Sequence, residues 1–166
     1  MMRFRPQHLL CIALVSAACT PYRAPALRTT PVPATAIEGS AGRTWDALVE
    51  YVAERLLSIE VIDRSSGLLA VGTREGFSTA APPARNSMLV VGDTAVADCG
   101  SEGSTRYGAD QARYNIVVRG DSARSAVMVN AAFKSAGVAA YRWCVSTGRF
   151  ERLLGEQIKA RAQVGR

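Results

Sequence analysis

Residues 43–73 read RTWDALVEYVAERLLSIEVIDRSSGLLAVGT, and the fold is decided here. Trp45, Leu48, Val49, Val52 and Leu56 fall at i, i+3, i+4, i+7 and i+11, the spacing of a single apolar stripe along a helix. The spacing predicts a helix over 43–58, with Gly39, Ser40 and Gly42 supplying the stop and cap ahead of it. Ile59-Glu60-Val61-Ile62-Asp63 follows as a short strand, Arg64-Ser65-Ser66-Gly67 turns the chain, and Leu68–Thr73 returns as a second strand. Thr35–Glu38 is a candidate strand preceding the helix.

Downstream, the period changes from helical to alternating. Met88–Val91 and Thr94–Cys99 are strand candidates separated by Gly92-Asp93. Pro82-Pro83 marks Phe77–Ser87 as a loop, and the Gly/Ser-rich Gly100–Gln111 reads as another. Tyr114, Ile116 and Val118 share one face at period two, as do Val127, Val129 and Phe133, with a turn near Gly120-Asp121-Ser122 between them. Ala139–Val145 is a last strand. Phe150, Leu153, Leu154 and Ile158 form the stripe of a terminal helix. The order β-α-β-β, several antiparallel strands, then a helix defines an α+β fold: an antiparallel sheet with an N-terminal amphipathic helix and a C-terminal helix on one face.

The chain opens MMRFRPQHLLCIALVSAACTP. Arg3, Arg5 and His8 form a polar head, and the apolar run Leu9–Ala18 has the length of an export signal, well short of the ~20 residues of a spanning helix. Ser16, Ala17 and Ala18 lead into Cys19, a pattern that resembles the bacterial lipoprotein signal. Ser16 stands where that signal usually carries a large aliphatic residue, and the same small residues also suit an ordinary secretory cut after Ala18. The resemblance implies that residues 1–18 are removed and that Cys19 is acylated. With Thr20 rather than Asp next in line, it implies an outer-membrane address, the domain facing the periplasm. Residues 19–34, rich in Pro, Ala and Thr, read as an extended tether. At ~3 Å per residue it would lift the domain by up to ~50 Å. Residues 35–166 then form a single domain.

Loss of residues 1–18 removes Arg3 and Arg5, leaving 18 basic residues against 14 acids, a net charge of +4. The basic residues are scattered, without the face or reading element that nucleic-acid binding needs. Of the four cysteines, Cys11 lies in the signal and Cys19 is the acylation candidate, leaving Cys99 and Cys144 as a disulfide pair in an oxidising compartment. Two cysteines without histidine do not close a zinc site of the usual type.

Trp45 through Gly67 (a Trp-led helix, an Ile-rich strand, Asp, a turn, Gly, a strand) resembles the helix-grip domains of envelope lipoproteins, including the C lipoprotein of the outer-membrane β-barrel assembly machine. That protein carries two domains where this chain has one, so barrel assembly is not implied. Asp98-Cys99-Gly100 and Cys144-Val145-Ser146-Thr147-Gly148 with Glu151 resemble motifs of bacterial lipoproteins without an assigned activity.

Chemistry-bearing constellations are sparse. The one histidine, His8, lies in the signal, which removes imidazole-based catalysis and His-ligated metals from the mature chain. Lys134 and Ser135 are adjacent on a strand and point to opposite faces, so they make no dyad. Asp46, Glu50 and Glu54 at i, i+4 and i+8 read as the solvated flank of the first helix. Arg119-Gly120-Asp121 reads as a hairpin turn. Gly100-Ser101-Glu102-Gly103-Ser104-Thr105 lacks the lysine of a phosphate loop. Trp45 and Trp143 are both expected in the core. The expectation is therefore a non-enzymatic, cofactor-free and metal-free outer-membrane lipoprotein, held to the membrane by its lipid and serving as an envelope interaction or assembly-accessory module. The alternative is a binder of a small apolar ligand such as a lipid, in a cavity under Phe150–Ile158.

Overall fold

A computed structural model describes residues 21–26, 31–73, 90–91, 94–102, 105–107, 109, 111–136 and 141–164. The signal, Cys19 and the loop expected over Phe77–Ser87 lie outside the described residues. The main sheet contains β1 (Thr35–Glu38), β2 (Ser58–Asp63), β3 (Leu68–Thr73), β4 (Ala97–Asp98), β5 (Gln111–Gly120), β6 (Arg124–Ala136) and β7 (Tyr141–Ser146). Helices α1 (Ala41–Glu54) and α2 (Arg149–Val164) pack on it. The fold is α+β, as expected.

The sheet runs β2-β3-β5-β6-β7-β4, every pairing antiparallel, with β1 beside the start of β6. β5 and β6 form a ladder of ten pairs from Gln111↔Lys134 to Gly120↔Ser125. Its alternation sends Ala112, Tyr114, Ile116 and Val118 to the same face as Val127, Val129 and Phe133, and all seven are buried. α1 contributes Trp45, Leu48 and Val52 to that core, and α2 contributes Leu154, Ile158 and Ala162. Phe150 stacks edge-on against Tyr114 and Phe133, with centroids 5.1 and 5.9 Å apart. Aromatic and aliphatic side chains thus pack beneath the first turns of α2.

Sequence and structure part company at the end of α1. The apolar stripe extends to Leu56, but the helix stops at Glu54 and Leu56 is 92% exposed. The Leu56 amide bonds the Ala53 carbonyl and the Leu57 amide reaches back to Val52, the paired bonds of a Schellman ending. That ending needs a left-handed residue, and Leu56 supplies it at φ 52°, a conformation costing a non-glycine residue ~1–2 kcal/mol. Leu57 takes the inward position instead.

Turns are built from short polar side chains. Asp63 accepts from the Ser65 hydroxyl and amide at 2.7 and 2.9 Å, and the serine hydroxyls hold its carboxyl at a pKa of about 2, Ser65 first and Ser66 next. Gly67 closes that turn at φ 65°, where a side chain would run into the Val118 carbonyl. At the β5–β6 turn Asp121 accepts from the Ala123 and Arg124 amides at 2.7 and 2.9 Å, so Arg119-Gly120-Asp121 serves the hairpin as expected.

One buried polar contact ties α1 to β6: the Thr44 and Ser125 hydroxyls lie 2.8 Å apart, at 0% and 6% exposure. Thr44→Val should therefore destabilise the domain by ~1–3 kcal/mol, because it strands the Ser125 hydroxyl without water. Thr44→Val with Ser125→Ala should recover part of that loss. Urea denaturation of the three variants measures both, and additive losses would show that the two hydroxyls are not coupled.

Candidate functional site

Two surfaces at opposite sides of the sheet carry features beyond a closed core. The first surrounds Cys99 and Cys144. Register places Cys144 opposite Phe133, facing inward, where it bonds Cys99 with the Cα atoms 4.1 Å apart. The disulfide expected from the cysteine count is present. Cys99 is fully buried in a small cluster with Val96, Ala97, Ala109, Ala112 and Phe133.

The same motif residues that bracket the disulfide build the start of α2. The Ser146 hydroxyl donates to Glu151 at 2.5 Å and accepts from the Gly148 amide at 3.0 Å. The Thr147 hydroxyl and amide both donate to the Val96 carbonyl. Glu151 sits in the first helical turn, where the helix dipole favours a carboxylate. Ser146-Thr147-Gly148 with Glu151 is accordingly a helix start pinned to the β4 side of the sheet.

Part of the chain expected to be tether lies on this end. Tyr22–Arg23 pairs with Ser101–Glu102, which pairs in turn with Thr105–Arg106, so a short three-stranded ribbon replaces the loop expected over Gly100–Gln111. Tyr22 donates its hydroxyl to the Cys99 carbonyl at 2.8 Å. The Arg142 guanidinium lies 4.2 Å from the Tyr22 ring centroid and 4.4 Å from that of Tyr107, within cation–π range of both. Gly100, at φ 84°, makes room: a side chain there would collide with the Arg23 carbonyl and the Tyr22 ring. Proline-rich composition concealed this docking, because the pairing involves only two residues and a distant loop.

Trp143 corrects an expectation. It was expected in the core, yet it is 65% exposed. Its partner across the ladder is Lys134, so both sit on the outer face while Ser135 is buried on the inner one. The ammonium lies 4.3 Å from the indole centroid. Counting inward from Phe133 through the β6–β7 pairing would have assigned Trp143 outward, but that register is invisible without the hairpin. Trp45 is 5% exposed, as expected.

The second surface is the free edge at β2. Among the described residues this strand pairs only with β3. Leu56, Ile59, Val61 and Ile62, within seven residues, are exposed at 92%, 42%, 45% and 53%. The ladder shifts register between Ile59 and Val61, at Glu60, whose carboxylate pairs with Arg113. Beside it a groove of about 580 Å³ runs along α1, lined by Trp45, Asp46, Val49, Glu50, Ile62 and Arg64. Asp46 and Arg64 form an exposed ion pair at 3.0 Å. Glu54 pairs with Arg161 of α2, which lowers the pKa of the carboxyl. The carboxylate row is thus distributed over two ion pairs and one groove position, Glu50. Among the described residues no three His, Cys, Asp or Glu side chains converge as a metal site, and no helix is long and apolar enough to cross a membrane. Compared with known protein families, curated proteins and solved structures, the chain finds no match.

The disulfide closes a loop of sequence separation 45, for which chain entropy assigns up to ~4 kcal/mol. Cys144→Ser should lower the melting temperature and raise protease sensitivity first around Ser101–Tyr107. Differential scanning calorimetry with limited proteolysis checks this, and unchanged values for both would contradict it.

Proposed function

We propose that the chain is a non-enzymatic lipoprotein of the outer membrane, acylated at Cys19, whose domain faces the periplasm and engages another envelope protein through the β2 edge. The single observation that carries the interaction is the run Leu56, Ile59, Val61 and Ile62. Scattered apolar side chains on a surface are ordinary, but three on an edge strand whose outer side is free among the described residues, with a fourth, Leu56, just before it, are a ready docking site. Leu56 adds weight, because a strained left-handed residue that exposes its side chain suits contact with a partner better than it suits the isolated fold. The shift at Glu60 interrupts the ladder and discourages indiscriminate strand addition. A partner would therefore read the apolar side chains and the adjoining groove, with its Glu50 carboxylate, more than a long row of backbone groups. The envelope address rests on the signal-like segment ending at Cys19 and on the resemblance of Trp45–Gly67 to helix-grip lipoprotein domains.

A photo-crosslinking residue placed at Ile59 in cells should yield one discrete adduct that Ile62→Asp abolishes, whereas the same probe at Asn115, on the outer face, should yield none. Palmitate labelling of the same cells should mark the wild type and not Cys19→Ala. Absence of an adduct from the Ile59 probe would contradict the interaction edge, and absence of label from the wild type would contradict the anchor.

A further inference from the structure

Two observations at the disulfide end point outward from the domain. The first is chain length. Cys19 precedes Tyr22 by three residues, a span of at most ~11 Å for a fully extended chain. Tyr22 is held to the domain by its pairing with Glu102, by its hydroxyl on the Cys99 carbonyl and by the Arg142 guanidinium against its ring. A lipid on Cys19 would therefore draw this end to the bilayer, in place of a tether paid out to ~50 Å.

The second observation is the side-chain chemistry displayed there. Trp143, 65% exposed, lies between Arg142 and Cys144 in β7; it points to the outer face while those two, which fasten Tyr22 and Cys99, point to the inner one, so the two groups flank the same edge of the sheet. Lys134 stands over its ring, and Arg23 is exposed on the docked strand. Exposed Trp and Tyr with adjacent cations suit the headgroup layer of a bilayer, where the rings meet the acyl boundary and the cations meet phosphates. Nothing in the core requires Trp143 to be a tryptophan, because its ring packs under a lysine on the outer face.

We propose that the disulfide end of the domain, with Lys134 and Trp143 on the outer face and the docked Tyr22–Arg23 strand flanking the same edge, rests on the phospholipid bilayer. This inference depends on the reading of Cys19 as acylated. It also orients the domain: β2 and β7 are four strand spacings apart in the sheet, ~19 Å at ~4.8 Å each, so the apolar β2 edge faces away from the lipid and toward the periplasm. Gly100 is the residue that permits the arrangement, since only its bare backbone lets Tyr22–Arg23 approach.

The test uses the full-length protein purified from membranes and reconstituted into phosphatidylethanolamine–phosphatidylglycerol vesicles that carry a nitroxide near the lipid headgroup. Mass spectrometry of the N-terminal peptide establishes acylation in the same sample. The expected result is loss of most Trp143 emission to the nitroxide, obtained by subtracting the emission of Trp143→Phe, in which buried Trp45 remains unquenched. Gly100→Ala should keep the acyl group and recover much of the Trp143 emission, because the N-terminal strand is displaced. An acylated protein whose Trp143 stays bright overturns the membrane-facing surface and leaves the anchor standing. Undiminished quenching in Gly100→Ala overturns the role of the docked strand in setting the orientation. A chain without acyl groups overturns the anchor, and the surface with it.

Discussion

The register between Gln111–Gly120 and Arg124–Ala136 is the constraint on which the remaining structure depends. Ten successive pairs fix which side chains of the two longest strands enter the core. A slip of one residue would put Val129 and Phe133 on the face opposite Tyr114 and Ile116, so that one set or the other would leave the core. The second edge of Arg124–Ala136 is shared, with Thr35–Glu38 at its start and Tyr141–Ser146 at its end, so the same register is passed on to both. It decides that Cys144 faces inward to Cys99 and that Trp143 faces out. The disulfide is in this sense a consequence of the ladder, and it then secures the Cys99 side of a loop that no long strand holds.

Local periodicity made much of this legible. The α1 stripe, the hairpin around Gly67, the alternation in Gln111–Gly120 and Arg124–Ala136, and the stripe of α2 are each written within one element, and each forms where its pattern lies. The Cys99–Cys144 pair was readable by elimination. Features set between elements were not readable. Leu56 fits the helical stripe, yet the Schellman bonds end the helix before it. Trp143 has an apolar side chain on a strand, yet its face follows from a pairing across a hairpin. Tyr22–Arg23 lies in a composition that favours extended chain, and extended chain is also what a docked strand needs.

The two candidate surfaces lie on opposite sides of the sheet, and their chemistry differs accordingly. The free edge at Ser58–Asp63 is aliphatic, bulged and flanked by carboxylates of α1. The disulfide end is aromatic and cationic, and it carries the segment nearest Cys19. Between them Tyr114, Phe133, Phe150, Leu154 and Ile158 pack the core beneath α2. If Cys19 is acylated as proposed, a domain held at the disulfide end would present its apolar Ser58–Asp63 edge on the far side.

Everything in this account that concerns orientation rests on the Tyr22–Arg23 strand being held by the disulfide end. Amide hydrogen exchange on the full chain, oxidised and then reduced, addresses this most directly. The account predicts that Tyr22–Arg23 and Ser101–Glu102 are protected in the oxidised protein and lose protection on reduction, while the Tyr114–Val129 ladder keeps its own. Exchange of Tyr22 and Arg23 at the rate of a free chain in the oxidised protein would contradict it.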